Sequence, residues 1–89
     1  MTDNFKDLEV GDSVGNPDEP REVLALYRKR ERVEGDSYAW WIAICWRKDA
    51  FHQFVVWDIF GRPDGFSAAN GDYCYTLEKA QRLFEGRCG

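Results

Sequence analysis

Eighty-nine residues with a formal net charge of −4 set the bounds of a single small domain. A chain this short buries only about 60–65% of its unfolded surface and needs reinforcement, which its fourteen aromatic residues can supply at ~150–250 Å² per large ring. The acidic total argues against a general phosphate-neutralising nucleic-acid binder, and with no leader-like apolar stretch after Met1 and no apolar run near ~18 residues the expectation is a cytoplasmic protein.

The first twenty residues are polar and broken by Gly11, Gly15, Pro17 and Pro20, so they read as an acidic, loop-rich arm preceding one domain over 21–89. Residues 1–22 hold seven acids, Asp3, Asp7, Glu9, Asp12, Asp18, Glu19 and Glu22, against Lys6 and Arg21. Within the arm, Leu8-Glu9-Val10-Gly11-Asp12-Ser13-Val14 alternates weakly and leads into a short strand. The phrase L-x-V-G-D-x-V resembles the opening of small SH3-like barrels.

Residues 21–33 are compatible with a helix on propensity alone. The alternation of Leu24 and Leu26 against Val23, Ala25 and Tyr27, followed by Glu34-Gly35-Asp36-Ser37, favours a hairpin strand. Arg28, Arg30 and Arg32 then share one face near its end, where the acidic arm can pair with them.

Tyr38–Arg47 and Phe51–Phe60 are strands rich in aromatic and β-branched residues, joined by a hairpin at Lys48-Asp49-Ala50. Both of their faces are apolar. Tyr38, Trp40, Ile42, Ile44 and Trp46 alternate with Ala39, Trp41, Ala43 and Cys45, and Phe51, Val55, Trp57 and Ile59 with Phe54, Val56 and Phe60. Gly61-Arg62-Pro63-Asp64-Gly65 is a turn, Asn70-Gly71 a second turn, and Tyr73–Tyr75 a short edge strand. Thr76 is placed as the N-cap of a helix carrying Glu78 in its first turn. Leu77, Ala80, Leu83 and Phe84 form its apolar stripe, and Gly86 ends it. The expected fold is α+β: an antiparallel meander of three to four strands with one C-terminal helix on one face. One such helix covers one face, so the other is expected to meet another molecule or another copy. Trp41, Trp46, Trp57 and Tyr27 are the candidates for that contact.

Catalytic chemistry finds little to stand on. His52, the one histidine, sits beside a hairpin loop, and its spacing from Cys45 or Cys74 has no recognised catalytic meaning. Cys45, Cys74 and Cys88 cannot all pair and form no C-x-x-C, so reduced thiols and no metal or other cofactor are expected. Asp58, Asp64 and Asp72 lack a paired-carboxylate spacing, and no glycine-rich phosphate loop is present. The alternative to a protein contact is a small nucleic-acid-binding domain, SH3-like or sheet-based, using Arg28, Arg30, Arg32, Arg47 and Lys48 beside exposed aromatics.

The phrase GDYCYTLEKAQRLFEGR at 71–87, preceded by FVVWDIF at 54–60, resembles small uncharacterised accessory proteins of actinobacterial phages. Their pattern is an aromatic strand, a Gly-x-Tyr edge and then Thr-x-Glu-x-Ala-x-x-x-Phe-x-x-Arg. Here it is carried by Gly71, Tyr73, Thr76, Glu78, Ala80, Phe84 and Arg87, about a third of the chain. The resemblance implies an accessory gene product of phage origin, placed in the host cytoplasm, of a kind that can bind host proteins. Together with the uncovered aromatic face and the lack of catalytic motifs, the expectation is a non-enzymatic interaction module that forms a homodimer or binds a host bacterial protein.

Overall fold

The computed structural model describes residues 7–30, 39–62 and 65–88, the side chains of Arg30 and Arg62 excepted. Five strands precede one helix: β1 (Ser13–Val14), β2 (Arg21–Arg30), β3 (Ala39–Trp46), β4 (Phe54–Arg62), β5 (Gly65–Cys74) and α1 (Leu77–Cys88). The strands form one antiparallel sheet in the order β1-β2-β3-β4-β5. The expected α+β meander with a C-terminal helix is therefore present, with five strands rather than three or four. The short strand expected after Leu8 is present as β1, and the edge strand is longer than expected. Val14 pairs with Arg21 to make β1, and β5 is ten residues long where only an edge at Tyr73–Tyr75 was expected.

β2 is a strand over the whole of its described length, as its alternation favoured, and residues 31–33 lie outside the described residues. So do the Glu34–Ser37 turn, Tyr38, and Pro63 and Asp64. β4 begins at Phe54, not Phe51, because Phe51–Gln53 belong to the connection from β3. Thr76 accepts a hydrogen bond at Oγ1 from the Lys79 amide (3.2 Å), as an N-cap should. The helix runs through Gly86 to Cys88 instead of ending at the glycine. Ala80, Leu83 and Phe84 face the sheet with Cys88, while Leu77 is 41% exposed and lies off the expected stripe.

The two sides of the central hairpin carry two separate cores. Ile42, Ile44, Val56 and Cys74 pack beneath Ala80 of α1, with Ala25, Trp40, Phe54, Leu83 and Phe84 around them. On the opposite side Val23, Trp41, Ala43, Cys45, Val55 and Ile59 gather with Leu8 and Val14 from the N-terminal segment and with Leu26, Trp57 and Phe66. That second side was expected to stay open. It is closed by the protein itself, because the sheet curls until β1 approaches β5 and the N-terminal segment lies across the mouth.

Three register irregularities account for the curl. Leu24 is an extra residue in β2 between the pairs Val23↔Cys45 and Ala25↔Ile44. Lys29 is another, between Arg28↔Trp41 and Arg30↔Trp40. Opposite Trp57, β5 supplies two residues, Asn70 and Gly71, between Ala69 and Asp72. Each bulge bends its strand and strengthens the local right-handed twist. The Asn70-Gly71 pair, read as a turn from sequence, is thus a bulge inside a strand, with Asn70 at φ 54. The first bulge also breaks the simple alternation of β2, so Val23 and Leu26 share the inner core while Ala25 joins the helix side.

The acidic N-terminal segment does partly pair with the basic end of β2: the Asp7 carboxylate lies 3.2 Å from the Arg28 guanidinium. Backbone bonds secure the same segment, with the Gly11 amide donating to the Val23 carbonyl (2.8 Å) and the Val23 amide to that of Asp12 (2.9 Å).

Candidate interaction surface

The four aromatic residues expected on one open face are divided by the fold. Trp41 is 2% exposed, its indole inside the curl against Phe66 (ring centroids 6.0 Å apart, edge-on). Trp57 is half-buried on the same side, between Gly15 and Gly71. Trp46 is half-buried at the end of β3, opposite Phe54 and Glu22. Tyr27, exposed near the end of β2, pairs with Ile42 of the helix side. These residues form no single surface, because the sheet that carries them is bent over one of its faces.

The cations of the nucleic-acid alternative are also dispersed. Arg28 stands 5.6 Å from the Trp41 ring centroid and is paired with Asp7. The bulge at Lys29 breaks the alternation that would have aligned Arg28 with Arg30, and Arg32 lies outside the described residues. Lys29 donates to the Arg87 carbonyl at the end of α1 (3.0 Å), a favourable place for a cation. Arg47 donates to the Pro20 carbonyl (3.0 Å), and Lys48 is exposed in the β3–β4 turn.

The aromatic surface that the fold does assemble lies at the end of the sheet where the β3–β4 connection meets the end of β5. A ladder of rings runs outward from the inner core. Trp57 meets Tyr73 edge-on (6.4 Å), Tyr73 is 6.0 Å from His52, His52 is 4.4 Å from Tyr75, and Tyr75 meets Phe51 edge-on (5.6 Å). Its outer members are strongly exposed: Phe51 81%, Tyr75 63% and Tyr73 54%. For three contiguous large rings on an 89-residue chain this is unusual, since apolar rings of this size are ordinarily drawn into the core.

Arg21 fixes the base of the ladder. Its side chain is almost fully buried, and its guanidinium donates to the carbonyls of Gln53 (3.0 Å) and His52 (2.8 Å). It also lies 5.9 Å from the Trp57 ring centroid and 5.6 Å from that of Tyr73. One cation therefore holds the loop that presents Phe51 and His52 and the strand that presents Tyr73. A sequence signal for the tyrosines existed. In Tyr73-Cys74-Tyr75 a Cys74 turned to the helix side places both tyrosines on the other side. Phe51 gave none, because the alternation placed it in a strand rather than in the turn.

A polar clasp ties α1 to the face of the sheet that it covers. The Arg87 guanidinium reaches Asp58 (3.4 Å), Asp72 (2.6 Å) and the backbone carbonyl of Asn70, while the Asn70 side chain donates from Nδ2 to the other Asp58 oxygen (2.7 Å). Asp58 is 8% exposed and both of its oxygens are engaged, a buried carboxylate held with its counter-charge.

The thiols are placed for packing rather than reactivity. Burial pushes the Cys45 thiol up to about 12 against the opposing influence of Arg21. Burial raises Cys74, with Asp72 adding to it, and also raises Cys88. Raised thiols are poor nucleophiles near neutral pH. Among the described residues no group of three or more His, Cys, Asp or Glu side chains is placed to hold a metal ion, and no helix is long and apolar enough to cross a membrane. No protein-family model, curated protein or solved structure matches this chain.

Proposed function

We propose that this chain is a non-enzymatic protein–protein interaction module, an accessory protein of phage origin that acts in the host cytoplasm, and that its contact surface is the outer ring ladder of Phe51, His52, Tyr73 and Tyr75. The observation that carries the reading is the exposure of three large rings, at 81%, 54% and 63%, in a protein that buries its other large aromatics in whole or part wherever their side chains are described, Tyr27 excepted. Aromatic side chains dominate interface energetics because they bring large apolar area at little conformational cost. Arg21 adds pre-organisation by holding the loop and strand that present them. The contact differs from the one the alternation suggested, since Trp41 and Trp57 are occupied in the inner core.

The nucleic-acid alternative draws less support, because Arg28 is engaged by Asp7 and Arg47 by the Pro20 carbonyl. The test is affinity capture from an actinobacterial lysate with the intact chain as bait, beside a Phe51→Ala variant. Partners retained by the parent and lost by the variant support the reading. Retention of the same partners by both removes the ladder as the contact surface.

A further inference from the structure

We propose that the ring ladder is a self-association surface: two copies of this chain meet about a two-fold axis through Phe51, Tyr73 and Tyr75. The proposal rests on the reading of the chain as an interaction module and names the partner. One observation sizes the contact, and another favours a second copy as its occupant.

The first is area. At ~150–250 Å² per large ring, the exposed fractions of Phe51, Tyr75 and Tyr73 amount to roughly 400 Å² of ring surface. A stable interface of standard size covers about 800 Å² per partner. The ladder thus supplies the apolar centre of such an interface, with a polar rim to complete it.

The second is charge. A two-fold contact brings each patch against its own image, so a rim of one sign repels itself. The described segment before β2 is of that kind, with Asp7, Glu9, Asp12, Asp18 and Glu19. Around the ladder both signs occur. The turn that bears Phe51 also carries Lys48 and Asp49, and the helix start beyond Tyr75 carries Glu78 and Lys79. In a chain of net charge −4, this is a surface that two copies can bring together without net repulsion. The rings are already held by contacts with one another and, at the base, by Arg21, so little side-chain freedom is lost on association.

Sedimentation equilibrium of the full chain from about 1 μM to about 1 mM tests the proposal. The expected result is a reversible rise in mass from 10.4 kDa toward twice that value. Phe51→Ala and Tyr75→Ser should each weaken association about tenfold or more with unchanged thermal melts. A control on the exposed edge of the sheet, Ala68→Lys in β5, should leave association as in the parent. Three results would overturn the proposal: a mass that stays at 10.4 kDa throughout, association that the ring variants do not weaken, or association abolished by Ala68→Lys alone. If the chain stays monomeric yet Phe51→Ala loses a captured partner, self-association fails while the interaction module stands. If Phe51→Ala alters neither, both readings fail.

Discussion

Replacing Gly61 by alanine probes how the inner face of the sheet is closed. A Cβ at this position would lie 2.7 Å from Cζ3 and 3.1 Å from Cη2 of Trp41, and 3.3 Å from Cε1 of Phe66. None of these atoms has an easy retreat: Trp41 is 2% exposed, Phe66 meets it edge-on, and the Arg28 guanidinium lies near the indole. Overpacking of this kind typically costs ~1–3 kcal/mol. Loss of glycine's freedom in the unfolded chain returns about 0.4–1 kcal/mol. The expected net loss is about 1–2 kcal/mol, a fall in melting temperature of roughly 5–15 °C for a domain of this size. Urea and thermal melts would measure it, with Trp41→Phe and the double variant completing a cycle. The shorter phenyl ring withdraws Cζ3 and Cη2, so the new methyl should fit, with a coupling of about 1 kcal/mol in the favourable direction. A neutral Gly61→Ala, or strictly additive variants, would refute the idea that the indole is seated on this glycine.

Phe84→Ala should lower stability by about 3 kcal/mol, because the ring joins α1 to the Ile42–Ile44–Val56 side. Trp57→Ala should cost a similar amount, since the indole fills the space between Gly15 and Gly71, whereas Phe51→Ala should stay within about 0.5 kcal/mol of the parent; chemical denaturation of the three variants checks the ranking. Arg87→Met should cost about 2–4 kcal/mol by leaving Asp58 without its counter-charge, and adding Asp58→Asn should recover part of that in the same melts. Cys45 contributes a pH-dependent term. Its folded-state value is raised from 9.0 to about 12, so the stabilisation is complete below about pH 9 and is lost as pH rises toward 12. The full loss is on the order of 4 kcal/mol; thermal melts at stepped alkaline pH should therefore fall more steeply for the parent than for Cys45→Ala, and equal slopes would show that the thiol titrates normally.

The period-two pattern over Ala39–Trp46 and 54–60 determined by itself that a central hairpin exists and which of its residues share a side. Trp40, Ile42 and Ile44 do lie opposite Trp41, Ala43 and Cys45. Thr76, Ala80, Leu83 and Phe84 likewise carried the helix, its cap and its docking face in local spacing alone. The candidate site was far less legible. Alternation ranks residues by side, but it does not say whether a sheet stays flat, and the choice of Trp41 and Trp57 as surface residues assumed that it did. The curl arises from bulges at Leu24, Lys29 and Asn70-Gly71, where one strand has a residue more than its partner, a mismatch visible only once the strands are paired. Closure depends on contacts between distant positions, Gly15 with Trp57 and Leu8 and Val14 with the β3–β4 side chains. The exposed ladder has the same origin. Phe51, Tyr73 and Tyr75 come together because Arg21, some thirty residues before His52 and Gln53, reaches across the sheet to their carbonyls. Local spacing records what a segment of backbone prefers, whereas burial is decided by which distant segment arrives above it.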